Sequence, residues 1–413
     1  MKPAAMVGNE PVGAPRPLPD RRIAATIWPL LVCAVIGLVP FTVFSTFLVQ
    51  IAADAGSDTA TVGTLRGLGG IAALLIGVLL APLIDRWSRL RVRTVALAVL
   101  AVSCLVGAVG SYPTLIVFCL GVGAATAALS PVLLALAADR FSDAASSGRA
   151  ATMITAGQTI AAIMAGPLVG LLALWPGWRG ALVLTAIIAL LLVAGSLARN
   201  PWTSSGKRRG DALTGLALRS VLRDRTVAGL IIIAFLRTAA FMGQLAFLAA
   251  FYHDRFGLDV AQFALVWTVS GVSFFLGNFL AGRTLARLPG DAAKPLLIIA
   301  LIAATGALAL IFTAPTLVVA IAGTAATAIC HAVIAAAVVD QLVKRASRRA
   351  PTLALNAAGM SLGVFAGATV GGAGLALAGY PGLLIGLGAL TAIGTLVAVG
   401  CLDSRTASVP ATG

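Results

Sequence analysis

Glutamate occurs once in this 413-residue chain, at Glu10, and histidine twice, at His253 and His331. Charged residues of every kind make up only 10% of the sequence, against roughly 25% in ordinary soluble proteins. A water-facing surface of this size cannot be assembled from so few ionisable groups. The same scarcity removes most enzyme chemistry. No His-Glu-x-x-His zinc site is present, and intramembrane hydrolysis has no visible machinery. The five cysteines (Cys33, Cys104, Cys119, Cys330, Cys401) are odd in number and lie in or beside apolar segments. Their spacing matches no zinc or disulfide pattern, so they read as reduced packing residues. No metal and no cofactor is expected.

What is abundant is apolar. Hydrophobic residues make up 60% of the chain and the mean hydropathy is +1.03, which leaves an all-α polytopic membrane protein. A spanning helix needs about 20 mostly apolar residues. That window places twelve spans, near 24–51, 60–83, 94–111, 114–138, 150–174, 180–199, 226–251, 260–282, 292–313, 315–339, 352–377 and 381–402. The net charge of +15 would suit a nucleic-acid surface, but the cations cluster between the apolar runs. All but four of the 29 fall in segments that twelve crossings bring to one side, as the positive-inside rule requires of the cytoplasmic side. Both termini are therefore expected inside, in the inner cell membrane, with no nucleic-acid partner. The four exceptions are Arg66, Arg179 and Arg255, at the outer side, and Arg237, within a span. Residues 1–22 end in Arg21-Arg22 before an apolar run far longer than a signal peptide's core, so the first helix should be retained.

Shifting the sequence against itself by 201 residues brings its halves into register. Asp139 falls on Asp340, Gly166 on Gly367, Gly170 on Gly371 and Arg86 on Arg287. Each half holds six spans, so the repeat is parallel, which is one transporter architecture. The expected organisation is a tail at 1–22, a six-helix bundle at 23–199, a cytoplasmic linker at 200–225, a second six-helix bundle at 226–402 and a tail at 403–413.

The segment Asp85-Arg86-Trp87-Ser88-Arg89-Leu90-Arg91 after span 2 resembles the loop motif of the major facilitator superfamily, with Ala81 and Ser88 where that family prefers glycine. Gly166-Pro167-Leu168-Val169-Gly170 in span 5 is similar to the motif of its exporters, and Gly177-Trp178-Arg179 before span 6 is similar to its drug-efflux branch. The resemblance covers essentially the whole chain. It implies a secondary transporter working by alternating access, in which Asp85, Arg86, Arg89 and Asp139 gate the cytoplasmic side. Gly166, Pro167 and Gly170 would let span 5 pack closely on a neighbour as the bundles rock. A monomer bound by membrane lipid and a small-molecule substrate is the expected state.

The resemblance also implies that spans 1, 4, 7 and 10 line a central cavity. Arg237 lies eleven residues into span 7, about 17 Å from its inner end by helical rise, and buried membrane charges are functional by default. Phe241 and Gln244 follow it at helical spacing. Span 10 offers Thr324, Thr327 and His331, span 4 offers Thr126 and Ser130, and span 1 offers Thr42, Ser45 and Thr46. Arg237, Phe241, Gln244, His331, Thr327, Ser130, Thr126 and Ser45 are the substrate-site candidates. Arg66 is read as snorkelling to the interface, and Gln158 and Asn278 as interhelical hydrogen-bonding groups. The arginine that proton-coupled exporters carry in span 4 is Val117 here, and the acids fall in loops or at span ends. A proton could then use only His331 or a span-end acid. A positive cavity attracts anions, so the expected cargo is a neutral or anionic organic molecule, drug-like or sugar-like, exported with or without protons. The alternative is an uptake permease or exchanger for a small organic anion. A membrane enzyme and a channel are the remaining classes, and the repeat suits rocking better than a continuous pore.

Overall fold

A computed structural model of the chain describes residues 19–80, 87–174, 177–198, 221, 223–287, 293–346 and 349–402. Regular structure among them is entirely helical. The helices are α1 (Asp20–Ile36), α2 (Val39–Thr46), α3 (Leu48–Asp54), α4 (Thr59–Leu75), α5 (Arg89–Gly107), α6 (Tyr112–Ala138), α7 (Ala144–Leu174) and α8 (Gly177–Leu197). They continue with α9 (Arg225–Phe256), α10 (Val260–Arg287), α11 (Ala293–Phe312), α12 (Leu317–Arg345) and α13 (Arg349–Leu402).

Span ends are set by the few polar residues available. Without water in a bilayer core, helix-end amides need internal partners. Asp58 accepts from the Thr61 amide at 2.7 Å, and Asp224 accepts from those of Thr226 and Val227 at 2.9 and 3.2 Å. Asp259 and Gln262 form a reciprocal capping box at the start of α10. The amide bond from Thr61 holds the Asp58 carboxyl below its usual range. Helix α9 stops at Gly257, whose φ of 68° lies in the left-handed region.

Among the described residues, ten stretches are long and apolar enough to cross a membrane. The difference from the twelve read in the sequence lies in two places. The 31-residue α7 is not among the ten, and α13 counts once although its backbone leaves helical geometry at Ala378 and Gly379. Gly379 has φ 63° and Pro381 follows it, a pair that ends one helix and starts another. The first span also differs from the unbroken run expected at 24–51. It breaks after Ile36 and again at Phe47. Pro40 has no amide for the carbonyl four residues back, and the Thr42 hydroxyl donates to the Leu38 carbonyl at 3.0 Å. A π-helical turn at Ile76–Leu80 ends the second span.

Apolar side chains face outward as well as inward. Val318, Leu191 and Leu396 are largely exposed, which is stable only in lipid. Packing follows glycine. A Cβ on Gly123 would stand 2.2 Å from the Gly69 carbonyl oxygen, joining α6 to α4, and one on Gly367 would stand 1.9 Å from that of Ala239, joining α13 to α9. The N-terminal helices meet the C-terminal ones along α4 with α13, α7 with α10, and α2 and α3 with α9. Helix α1 instead packs on α6, α7 and α8 of its own half.

Gly123→Ala is expected to lower stability by about 1–3 kcal/mol, because backbone must move to admit the methyl. Gly306→Ala, where a Cβ meets nothing within 4 Å, should be neutral or stabilising. Thermal melts of the purified protein in detergent check both.

Candidate functional site: a central cavity between the two halves

A cavity of about 470 Å³ lies between the halves. Its walls are Cys33–Leu38 around the first break of span 1, Thr126 to Leu133 of α6, and Thr155, Gln158 and Thr159 of α7. Helix α9 adds Phe241, Met242 and Leu245, and α10 adds Trp267, Ser270, Gly271 and Phe274. Helices α2 and α3 contact α9 on the side towards Asp54 and Phe256. The cavity lies on the other side of these contacts, towards the helix ends that carry most of the cations. Among the described residues, no charged side chain lines it.

Of the eight sequence candidates, Phe241, Thr126 and Ser130 line this cavity. Ser130 accepts from Gln158 Nε2 at 3.4 Å. The Thr126 hydroxyl donates to the Val122 carbonyl at 2.8 Å. The other five stand behind it. Arg237 is 4% exposed and donates from Nη1 to the His331 carbonyl at 3.2 Å and from Nη2 to Thr238 Oγ1 at 3.1 Å. His331 is buried with Nδ1 unpartnered, as are Gln244 with Oε1 and Ser45 with Oγ. The Thr327 hydroxyl is spent on the Gly323 carbonyl at 2.8 Å. The expected positive lining is therefore replaced by a neutral one, because Phe241 stands between the cavity and the basic groups. Phe241 stacks on His331 (4.8 Å between centroids) and on Phe274 (5.5 Å).

Helices α7 and α10 supply wall residues that the sequence reading passed over. The signal was present as helical stripes: Thr155, Gln158 and Thr159 at i, i+3, i+4, and Trp267, Ser270, Gly271 and Phe274 at i, i+3, i+4, i+7. Gln158 thus has both roles, hydrogen bond and wall. Asn278 donates to the Phe274 carbonyl of its own helix at 3.1 Å and bonds to no neighbour. Arg66 does not snorkel. It is buried, with Nη1 unpartnered and its guanidinium 6.0 Å from the Phe41 ring centre. The spacing Gly359-Met360-Ser361-Leu362-Gly363 matches a hydrolase nucleophile pattern, but it lies within helical α13, whereas that elbow needs a strand-to-helix turn.

The gating candidates divide. Asp85 and Arg86 lie outside the described residues. Arg89 pairs with Asp139 and also donates to the Ala135 carbonyl. This ties α5 to α6 within one half, so the pair itself does not bridge the halves. Gly166 and Gly170 face α10. A Cβ on Gly166 would lie 2.3 Å from the Ala264 carbonyl oxygen and one on Gly170 3.0 Å from the Ala264 Cβ. Pro167 sits between them inside α7.

Each half closes its far end with a clasp around an aspartate. Asp54 accepts from Trp178 Nε1 at 2.9 Å and from Arg179 Nη1 at 2.6 Å, and Asp254 accepts from the Tyr380 hydroxyl at 2.7 Å. Arg179 and Tyr380 are repeat partners at the 201-residue shift. The remaining span-end acid, Asp340, pairs with Lys344 at 2.8 Å.

The chain is thus all-helical and multi-pass, with a cavity between its N-terminal and C-terminal helices. A family profile described as Major Facilitator Superfamily matches residues 30–347, and the chain belongs to that superfamily. It is a secondary transporter and not an enzyme. Its sequence is 28% identical over 260 residues to a Streptomyces lividans protein named chloramphenicol resistance protein, covering 60% of this chain and 64% of that one. It is 26% identical over 254 residues to a Pseudomonas aeruginosa protein named transcription regulatory protein OpdE, covering 58% and 60%. The matches thus span less than two thirds of either relative. Among solved structures, a bacterial homologue of the lysosomal transporter Spinster, inward-facing and unoccupied, superposes with TM-score 0.73 at 18% identity, over 94% of this chain and 99% of that one. The human organic anion transporter MFSD10 gives 0.66 at 18%, over 92% and 100%. At these identities the likeness is one of fold.

Asp54→Asn keeps an acceptor for Trp178 and loses the ion pair. Because the pair is solvent-exposed, the melting temperature should fall by no more than about two degrees, and high salt should erase the difference. Melts with and without 0.5 M NaCl, on the order of several times physiological strength, measure this.

Proposed function

We propose that this transporter exports small aromatic molecules, neutral or anionic, across the inner cell membrane by alternating access. The observation that carries the reading is the wall of the cavity. Trp267, Phe241 and Phe274 offer ring faces, while Gln158, Ser130, Thr155 and Ser270 offer hydrogen bonds without charge. Such a site suits a lipophilic molecule with amide or hydroxyl groups, and the similarity to a protein named for chloramphenicol resistance supports efflux of this class. Counting α7 and both arms of α13 as crossings completes twelve, in two bundles of six with both termini cytoplasmic. The basic face is then cytoplasmic and the cavity is open inward. In the gating we envisage, Asp85 and Arg86 act with the Arg89–Asp139 tie at the start of α5, and the Gly166–Gly170 face of α7 is the surface on which the halves rock.

A second reading, exchange of a small organic anion, draws on Arg237, a buried guanidinium whose described acceptors are both neutral. Counterflow in proteoliposomes separates the two, with chloramphenicol and benzoate as probes, with and without a pH gradient. Gradient-driven movement of chloramphenicol is the expected result. Gradient-independent benzoate exchange alone would establish the second reading.

Two substitutions test the site. Gln158→Leu removes the amide from the wall and leaves Ser130 without its donor, and it should raise the apparent KM for chloramphenicol roughly tenfold, the equivalent of about one charged or two neutral hydrogen bonds. Gly166→Val places side-chain atoms against Ala264 and Thr268 of α10. Transport should slow by more than about tenfold while equilibrium binding of the probe is kept, which a parallel binding assay would show.

A further inference from the structure

We propose that Phe241 is a lid over a second, anion-binding subsite, formed by Arg237 and His331 and continuous with the main cavity once the ring turns aside. This rests on the reading of the cavity as a substrate site and adds the position that would take a carboxylate.

Four observations meet there. Arg237 is buried, its hydrogen bonds among the described residues go to two neutral oxygens, and no carboxylate among those residues pairs with it. His331 presents its backbone carbonyl to that guanidinium, and its own buried Nδ1 has no partner. Phe241 follows Arg237 by one helical turn and stacks on both His331 and Phe274. Phe241 and Phe274 line the cavity, and the two basic groups do not. One ring is thus the partition between an uncharged chamber and an uncompensated cation.

A buried cation in low dielectric is strongly favoured by a matching anion, and a guanidinium binds a carboxylate through two parallel, charge-assisted hydrogen bonds. Against this, opening the lid sacrifices two ring contacts. An aromatic carboxylate can replace one of them by laying its own ring on Phe274, while its carboxylate reaches Arg237 and accepts from His331 if Nδ1 carries the proton. A neutral analogue of the same shape gains the ring contact only and leaves the lid shut. The predicted specificity is for molecules that join an aromatic ring to a nearby carboxylate.

Equilibrium dialysis of the full-length protein in detergent, with radiolabelled benzoate and benzamide at neutral pH, tests the proposal. Wild type should bind benzoate about tenfold more tightly than benzamide, a difference of about 1.4 kcal/mol. Phe241→Ala should tighten benzoate about tenfold further and change benzamide less than about threefold. Arg237→Gln should bring the two ligands to equal affinity, alone and combined with Phe241→Ala. Should the alanine variant fail to fold, Phe241→Leu fills the space without a ring to stack and is read the same way. Equal affinities in wild type and lid variant, or a preference for benzoate that survives Arg237→Gln, would overturn the subsite. Carboxylate selectivity without transport would count against the export reading alone, and transport without selectivity against the subsite alone.

Discussion

The structure depends on backbone-to-backbone contact made through glycine. Lipid tails are as apolar as leucine, so the hydrophobic effect that closes a soluble core supplies little force between helices in a bilayer. What remains is close packing, and it requires that side chains be absent where helices cross. Gly67 and Gly70 of α4 meet Phe365 and Ser361 of α13, and Gly166 and Gly170 of α7 meet Ala264 of α10. These two crossings, α4 on α13 and α7 on α10, are where the halves join, and surfaces without bulky knobs can slide. The same feature therefore holds the molecule together and leaves it able to change shape.

The scarcity of charge has a second effect. With so few acids, each described one is used at a helix end or a tie. Asp58, Asp224 and Asp259 cap helices, Asp54 and Asp254 clasp the far ends, Asp139 and Asp340 pair with Arg89 and Lys344, and Asp20 pairs with Arg149. Asp143 accepts from the Ser146 amide at 2.6 Å. Polarity on the cavity wall comes instead from hydroxyls, one amide and one thiol, which present hydrogen bonds without a fixed sign of charge. Of the buried guanidiniums, Arg66 lies beside the Phe41 ring, Arg93 donates to Ser196, and Arg237 lies one helical turn from Phe241, which lines the cavity while Arg237 does not.

The repeat is instructive in what it does and does not carry over. Arg179 and Tyr380 occupy matching positions and both bind an aspartate at the far end of the first helix of their half. Gly166 and Gly367 also match in sequence, yet Gly166 meets α10 across the join, while Gly367 meets Ala239 inside its own half. Identical residues at equivalent positions thus serve the seam in one half and internal packing in the other, because a small rotation of a helix exchanges the faces it offers.

Much of the site was legible in part. Arg237, Phe241 and Gln244 do share a stretch of one helix, and Thr126 and Ser130 share another, since helical spacing alone decides which residues are neighbours along a helix. The stripes on α7 and α10 were equally readable, but their polar groups are small and scattered among apolar residues, so the pattern resembles ordinary interhelical packing. Composition and hydropathy by themselves determined that this chain lives in a bilayer as a bundle of helices, because water cannot solvate such a surface and lipid cannot satisfy an open backbone. The order of cations and the 201-residue repeat point to a division into halves. Only the tertiary structure decided which side of each helix meets the cavity, and hence that Arg237 and His331 stand behind Phe241. Rotation about a helix axis is set by contacts with neighbouring helices, and those contacts join residues far apart in the chain.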